Sequence, residues 1–157
     1  GDYPVRAIRT MAQIALRSED NLDWELLRLA HRGWTKPVFS DVISEAACRA
    51  AENLKAKAIV AFTQSGFTAR LISKYRPIAP IIAFTPHQKI KRRLGLCWGI
   101  IPNTMSLMEH TDEMILQVEK ALIEQDLVRS GDDIVILSGA PIFEKGTTNL
   151  LKLHRVR

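Results

Sequence analysis

The sequence predicts an α/β fold, a three-layer sandwich built on a mixed, mainly parallel sheet of about five strands with an antiparallel final strand. Two observations carry this. From Ala56 onward short apolar runs alternate with helical patterns, and such alternation builds crossover units between parallel strands. The stretch Gly139–Asn149, which joins the last two apolar runs, is short and rich in glycine and threonine, so it holds no crossover helix and the chain must turn back on itself. With 157 residues, 46% hydrophobic and 25% charged, the chain can bury most of one core but not two.

The first helix is predicted from Asp2 as N-cap, Pro4 in the first turn, and apolar residues at Val5, Ile8, Met11, Ala12 and Ala15. Residues 1–18 form this segment. Residues 19–39, with Trp24, His31, Gly33, Trp34 and Pro37, show no period and read as a connector to a domain over 40–157. Ser40 or Asp41 is predicted to cap a second helix whose inner face is Ile43, Ala46, Ala47, Ala50, Ala51 and Leu54, small enough to lie close to a sheet. There follow a strand at 58–62, a helix at 67–75, a strand at 80–84, a helix at 87–96 and a short strand at Ile100-Ile101. Arg76-Pro77 ends one helix and Pro86 marks entry to the next, because proline lacks the donor and fixes φ. Thr111-Asp112-Glu113 opens a helix to about Gln125 with acidic residues at its positive end and Met114, Val118, Ala121 and Leu122 as its buried stripe. Asp133–Ser138 is a buried strand and Leu150–His154 the last one.

No apolar run reaches the about 18 residues of a membrane span, and the N-terminus lacks the basic-then-apolar pattern of a signal peptide. A cytoplasmic protein with no membrane partner is expected. The two cysteines, Cys48 and Cys97, sit within apolar patterns without metal-type spacing and read as buried reduced thiols. The formal charge of +5, from 22 basic and 17 acidic residues, is dispersed. Its dense clusters, Lys89/Lys91/Arg92/Arg93 and Lys152/His154/Arg155/Arg157, lack interleaved aromatics, so nucleic acid is not expected as a partner.

The candidate site is Thr63, Gln64, Ser65, Gly66, Phe67 and Thr68, lying between a strand and a helix. Hydroxyls and a glycine at a helix N-terminus suit a phosphate or another small anion, because backbone N–H groups point outward there. The same hydroxyls equally suit simple capping of the helix, and both readings stand at this point. In parallel sheets ligands bind beyond the carboxyl ends of the strands. The loops at 63–68 and 139–148 both leave strands at that end and can converge, with Lys145 or Arg70 to neutralise charge.

Neither a Walker phosphate loop nor a dinucleotide Gly-x-Gly-x-x-Gly occurs. The four histidines, His31, His87, His110 and His154, are scattered, with no adjacent nucleophile and orienting carboxylate, so no catalytic residues and no metal ligands are assigned. Trp24, Trp34 and Trp98 read as packing or interface residues.

The order Ala56-Lys57-Ala58-Ile59-Val60, Thr63-Gln64-Ser65-Gly66-Phe67-Thr68-Ala69-Arg70, Ser73-Lys74-Tyr75-Arg76-Pro77 and Ala79-Pro80-Ile81-Ile82-Ala83 resembles the C-terminal domain of pyruvate kinase. Trp98-Gly99-Ile100-Ile101-Pro102, Gly131-Asp132, Ser138-Gly139 and Gly146-Thr147-Thr148-Asn149 continue the resemblance, and Gly1-Asp2-Tyr3-Pro4-Val5 through Ile14 looks like the last helix of that family's catalytic barrel. The resemblance implies a parent reaction, phosphoryl transfer from phosphoenolpyruvate to ADP in glycolysis with Mg2+ and K+, whose machinery lies in a barrel upstream of Gly1. This chain alone is then catalytically inactive and holds no cofactor. It implies an allosteric domain that binds a phosphorylated effector, rests on the parent's barrel and contributes to a homotetramer. Thr63, Gln64, Ser65, Gly66, Phe67 and Thr68 match the phosphate loop, and Gly139, Ala140, Pro141, Lys145, Gly146 and Thr147 the effector loop.

Two departures bear on the effector. Met114 falls near the place where many members activated by fructose 1,6-bisphosphate carry an arginine, and Phe67 replaces a basic or small residue in the phosphate loop. They favour AMP or a sugar monophosphate over the bisphosphate. The alternative is a free-standing interaction module, in which the apolar face of the first helix drives association without a ligand.

Overall fold

The structure, a computed structural model, describes residues 1–22, 38–106, 111–139 and 148–157. It divides into two units, Gly1–Trp34 and Thr35–Arg157.

In the first unit α1 spans Pro4–Asp20. Its N-cap is Tyr3, with no side-chain capping bond, so the predicted Asp2 cap is not formed. Pro4 decides this: it takes the first helical position and pushes the preceding residue, at φ −131° and ψ 55°, out of the helical region. No residue of α1 is buried.

The second unit begins with α2, Phe39–Leu54. Val38, extended at φ −100° and ψ 158°, is the N-cap, which corrects the expectation of Ser40 or Asp41. Those two lie in the first turn, where Asp41 still complements the positive end of the helix. The buried stripe runs Ser40, Ser44, Ala47, Ala51, with Ile43, Cys48 and Ala50 partly covered, whereas the predicted inner residues Ala46 and Leu54 are exposed. Ser44 makes this rotation tolerable because its hydroxyl donates to the Ser40 carbonyl at 2.7 Å and enters the core satisfied. Lys55, left-handed at φ 51°, ends the helix.

The remaining elements are β1 (Ala58–Phe62), α3 (Phe67–Lys74), β2 (Ile81–Thr85), α4 (Gln88–Leu94), β3 (Ile100–Thr104), α5 (Thr111–Glu124), β4 (Asp133–Ser138) and β5 (Leu150–Arg155). The sheet order is β3-β2-β1-β4-β5, parallel through the first four strands, with β5 antiparallel to β4 over Asp133↔Arg155 to Ser138↔Leu150. The mixed five-stranded sheet is therefore as predicted. β3 runs past the predicted Ile101 because an edge strand tolerates Pro102, whose missing donor costs no ladder bond when it faces outward.

Alternation along the strands divides the core. Ile59, Ala61, Ile81, Ala83, Val135 and Leu137 face Ala47, Ala51, Ala69, Ile72 and Leu94, which come from α2, α3 and α4. Ala58, Val60, Ile82, Phe84, Ile134 and Ile136 face Ile115, Val118 and Leu122 of α5. Right-handed crossovers dictate this arrangement: the steps β1 to β2 to β3 go one way and place α3 and α4 on one face, and the return to β4 places α5 on the other.

The predicted stripe Met114, Val118 and Leu122 is buried, Ala121 only partly, and Ile115 joins it. Cys48 and Cys97 are reduced thiols but half-buried rather than buried. Trp24, Trp34, His31, His110 and most of the predicted connector lie outside the described residues.

Candidate functional site

The strand order reverses between β1 and β4, since β2 and β3 lie to one side of β1 and β5 lies beyond β4. A crevice forms at such a switch point because the chains leaving the two strands diverge. The segments leaving β1 at Phe62 and β4 at Ser138 are the two predicted loops.

Gly66 shapes the first. It is left-handed at φ 82°, and a Cβ there would meet Ile90 Cγ2 and Leu94 Cδ2, each at 3.2 Å, so glycine alone lets the turn press against α4. The Gly66 N–H donates to Thr63 Oγ1 at 2.8 Å, and the Phe67 N–H to Ser65 Oγ at 3.3 Å. Ser65 thus satisfies the first helical N–H while Thr63 braces the turn before it, and each hydroxyl that accepts a backbone N–H keeps its own hydrogen to donate. The Arg70 N–H closes the first helical bond on the Gly66 carbonyl at 3.1 Å, which leaves the Thr68 and Ala69 amides among those no preceding turn satisfies.

Thr63 and Thr68 are buried, Gln64 is half-buried, and Ser65, Phe67 and Arg70 are exposed. The second loop meets the first at one described point, where Thr148 Oγ1 lies 2.7 Å from Thr68 Oγ1. Gly139, at the start of this loop, is half-buried. Ala140, Pro141, Lys145, Gly146 and Thr147 lie outside the described residues. Met114 is 2% exposed and belongs to the core, so its side chain is not presented to a ligand.

Thr148 closes the predicted 139–148 loop but was not singled out as a site residue. Its signal is topological: it immediately precedes a strand that returns beside β4, which brings it to the end of the sheet where α3 starts. A second polar cluster also went unread. Glu119 Oε2 lies 2.9 Å from His154 Nε2, and Glu119 Oε1 accepts the Arg157 N–H at 2.5 Å. Burial raises the Glu119 pKa, but the bonds from His154 and Arg157 outweigh it and hold the carboxyl below its ordinary value. Arg155 forks onto Asp133 at 2.8 and 2.9 Å, so part of the C-terminal basic cluster is neutralised within the fold. Lys89, Arg92 and Arg93 form an exposed face of α4. Arg76 lies over the Trp98 ring at 4.8 Å, while Ser73 Oγ donates to the Trp98 carbonyl at 2.6 Å, which gives Trp98 a packing role.

The family described as pyruvate kinase, alpha/beta domain, matches residues 41–154, the whole of the sheet and its covering helices except the chain's last few residues and the first of α2. The chain belongs to this pyruvate kinase family. It is 44% identical over 157 residues to the pyruvate kinase of Clostridium acetobutylicum, covering 99% of this chain and 33% of that protein. It is 40% identical over 154 residues to that of Geobacillus stearothermophilus, covering 98% and 26%. A crystal structure of a Cryptosporidium parvum pyruvate kinase superposes with a TM-score of 0.82 at 31% identity, over 96% of this chain and 30% of that one. The same parasite's enzyme in complex with ADP gives 0.80 at 31% identity, over 99% and 31%.

The chain thus spans about a third or less of the pyruvate kinases it matches. Among the described residues no three His, Cys, Asp or Glu side chains come together to hold a metal. No described helix is long and apolar enough to cross a membrane.

Proposed function

We propose that this pyruvate kinase domain is the regulatory part of a longer enzyme. The parent transfers phosphoryl from phosphoenolpyruvate to ADP, using Mg2+ and K+ bound by residues outside this chain. This domain binds a phosphorylated effector and contributes to a tetramer. Residues 1–18 belong to the end of the catalytic barrel, 19–39 are the connector, and 40–157 are the effector domain.

The observation that carries the reading is the junction at Thr68. The first turn of α3, with outward amides and the hydroxyls of Thr63, Ser65 and Thr68, lies at the switch point and is touched by the second loop through Thr148. Phosphate sits against the Gly66–Ala69 backbone, and Gly139, Ala140, Pro141, Lys145, Gly146 and Thr147 supply the rest of the grip. With Met114 in the core and Phe67 in the turn, AMP or a sugar monophosphate fits better than fructose 1,6-bisphosphate. Activation requires only that the active assembly bind the effector more tightly than the inactive one, with a coupling of about 1–3 kcal/mol.

Calorimetric titration with AMP, ribose 5-phosphate, glucose 6-phosphate and fructose 1,6-bisphosphate tests this, with Thr68→Ala as control. Binding of a monophosphate that the substitution abolishes supports the reading. Binding unchanged by it refutes the assigned loop.

One observation favours a second reading, an interaction module without a ligand: α1 carries Val5, Ile8, Met11 and Ile14 exposed, with no buried residue. Concentration-dependent sedimentation together with silence in every titration would select it.

A further inference from the structure

We propose that Thr148 is a positioning residue for the anion site: by donating to Thr68 Oγ1 its hydroxyl leaves the Thr68 hydrogen for the anion, and it carries occupancy of the site into the edge strand β5. The proposal rests on the anion-site reading above. Thr68 opens α3 and Thr148 stands just before β5, and their hydroxyl oxygens lie 2.7 Å apart with both residues buried. Each threonine hydroxyl has one hydrogen and two lone pairs. While the pair is alone, either oxygen can be the donor.

An anion against α3 removes that choice. Thr68 has a single hydrogen, and if it goes to a phosphate oxygen, the pair stays bonded only with Thr148 as the donor. The bond then runs one way, from Thr148 O–H to Thr68 Oγ1 and from Thr68 O–H to the anion. Serial donation of this kind in a water-poor setting strengthens each member.

Thr148 is tied at once to the sheet. The Asn149 N–H donates to the Ser138 carbonyl at 3.2 Å, and Leu150 is the ladder partner of Ser138. A change in the Thr148 hydroxyl is therefore felt at the first residues of β5.

The test is an NMR titration of the isotope-labelled chain with inorganic phosphate, following the Gly66–Ala69 amides and the Asn149–Leu151 amides. Both sets should shift along one binding curve in the native chain. Thr148→Val, which keeps the branched shape but has no hydroxyl, should weaken binding about tenfold. At saturation it should retain the Gly66–Ala69 shift and lose that at Asn149–Leu151. Thr148→Ser should restore both, which a merely space-filling role would not require. Should the valine variant fail to fold, Thr148→Ala makes the same comparison.

Native affinity together with a native Leu150 shift in the valine variant would overturn the proposal, as would failure of serine to restore them. If the native chain shows no phosphate shift at Gly66–Ala69, the anion-site reading itself falls, and this inference with it.

Discussion

The Thr68 and Thr148 hydroxyl oxygens lie 2.7 Å apart across a sequence separation of 80 residues, joining the first turn of α3 to the threshold of β5. Both residues are buried, so this bond is screened from competing water. Thr68→Val and Thr148→Val should each destabilise the fold by about 1–2 kcal/mol, because each strands the other hydroxyl. The double variant should cost clearly less than the sum, with a coupling of about 0.5–1.5 kcal/mol. Urea unfolding of the four chains measures it, and simple additivity would show that the bond contributes nothing.

Gly66→Ala should be more damaging than its size suggests. The residue sits at φ 82°, and the added methyl would meet Ile90 and Leu94 at 3.2 Å. A destabilisation of about 1–3 kcal/mol follows from the left-handed backbone and the contact together. Leu94 is core, so the helix that must give way is one the sheet needs. Thermal unfolding reads the loss, and phosphate titration should show weaker binding at temperatures where the variant remains folded.

Much of this was legible from residue chemistry. The apolar runs at 58–62 and 133–138 and the prolines at 77 and 86 specify parallel strands and their connections, because a buried parallel strand has few other ways to read. The glycine and threonine content after Ser138 likewise predicts the antiparallel return that the β4 and β5 register displays. What failed was chemistry that depends on neighbours. Val38 caps α2 although two better capping residues follow, and the α2 stripe passes through Ser40 and Ser44, which carry no hydrophobic signal. Glu119 is a charged type, yet it is buried and pairs with half-buried His154, whose register opposite Ile134 turns it to the face of the sheet that α5 covers. The Thr63 to Thr68 turn was visible as a candidate site because its pattern is local. Thr148 was legible only as the end of the 139–148 loop expected to converge there, since its pairing with Thr68 spans 80 residues of sequence.

Leu122→Ala and Ile123→Ala should separate core from surface on one turn of α5. Leu122 is 0% exposed and packs with Val118, Ile134 and Ile136, whereas Ile123 is 43% exposed. Removing the Leu122 side chain leaves a cavity and should cost about 2–5 kcal/mol. The Ile123 change should stay within about 1 kcal/mol. Equal losses in denaturant unfolding would contradict the assigned face of α5.

Glu119→Gln should make the stability of the domain less dependent on pH. The carboxylate is 7% exposed, faces His154 at 2.9 Å and accepts the Arg157 N–H at 2.5 Å. Its pKa is lowered because those two bonds favour the charged form more than burial opposes it. A group whose pKa is lower folded than unfolded binds its proton more readily when unfolded, so it stabilises the fold above its unfolded value, about 4.3, and loses that contribution as pH falls through the folded value. Glutamine keeps the shape and one acceptor but has no charge. At pH 7 the variant should therefore be less stable, by about 1–3 kcal/mol for the loss of charge-assisted bonds in a buried setting. As pH falls through the lowered folded value the native carboxyl is itself neutralised, and the two stability curves should approach each other. Asp133, held below its ordinary pKa by the Arg155 fork, titrates in the same direction but remains present in both chains, so it cancels in the comparison. Thermal melts from pH 3 to pH 8 decide the point: a constant gap between native and variant would place the contribution of Glu119 in packing rather than in its charge.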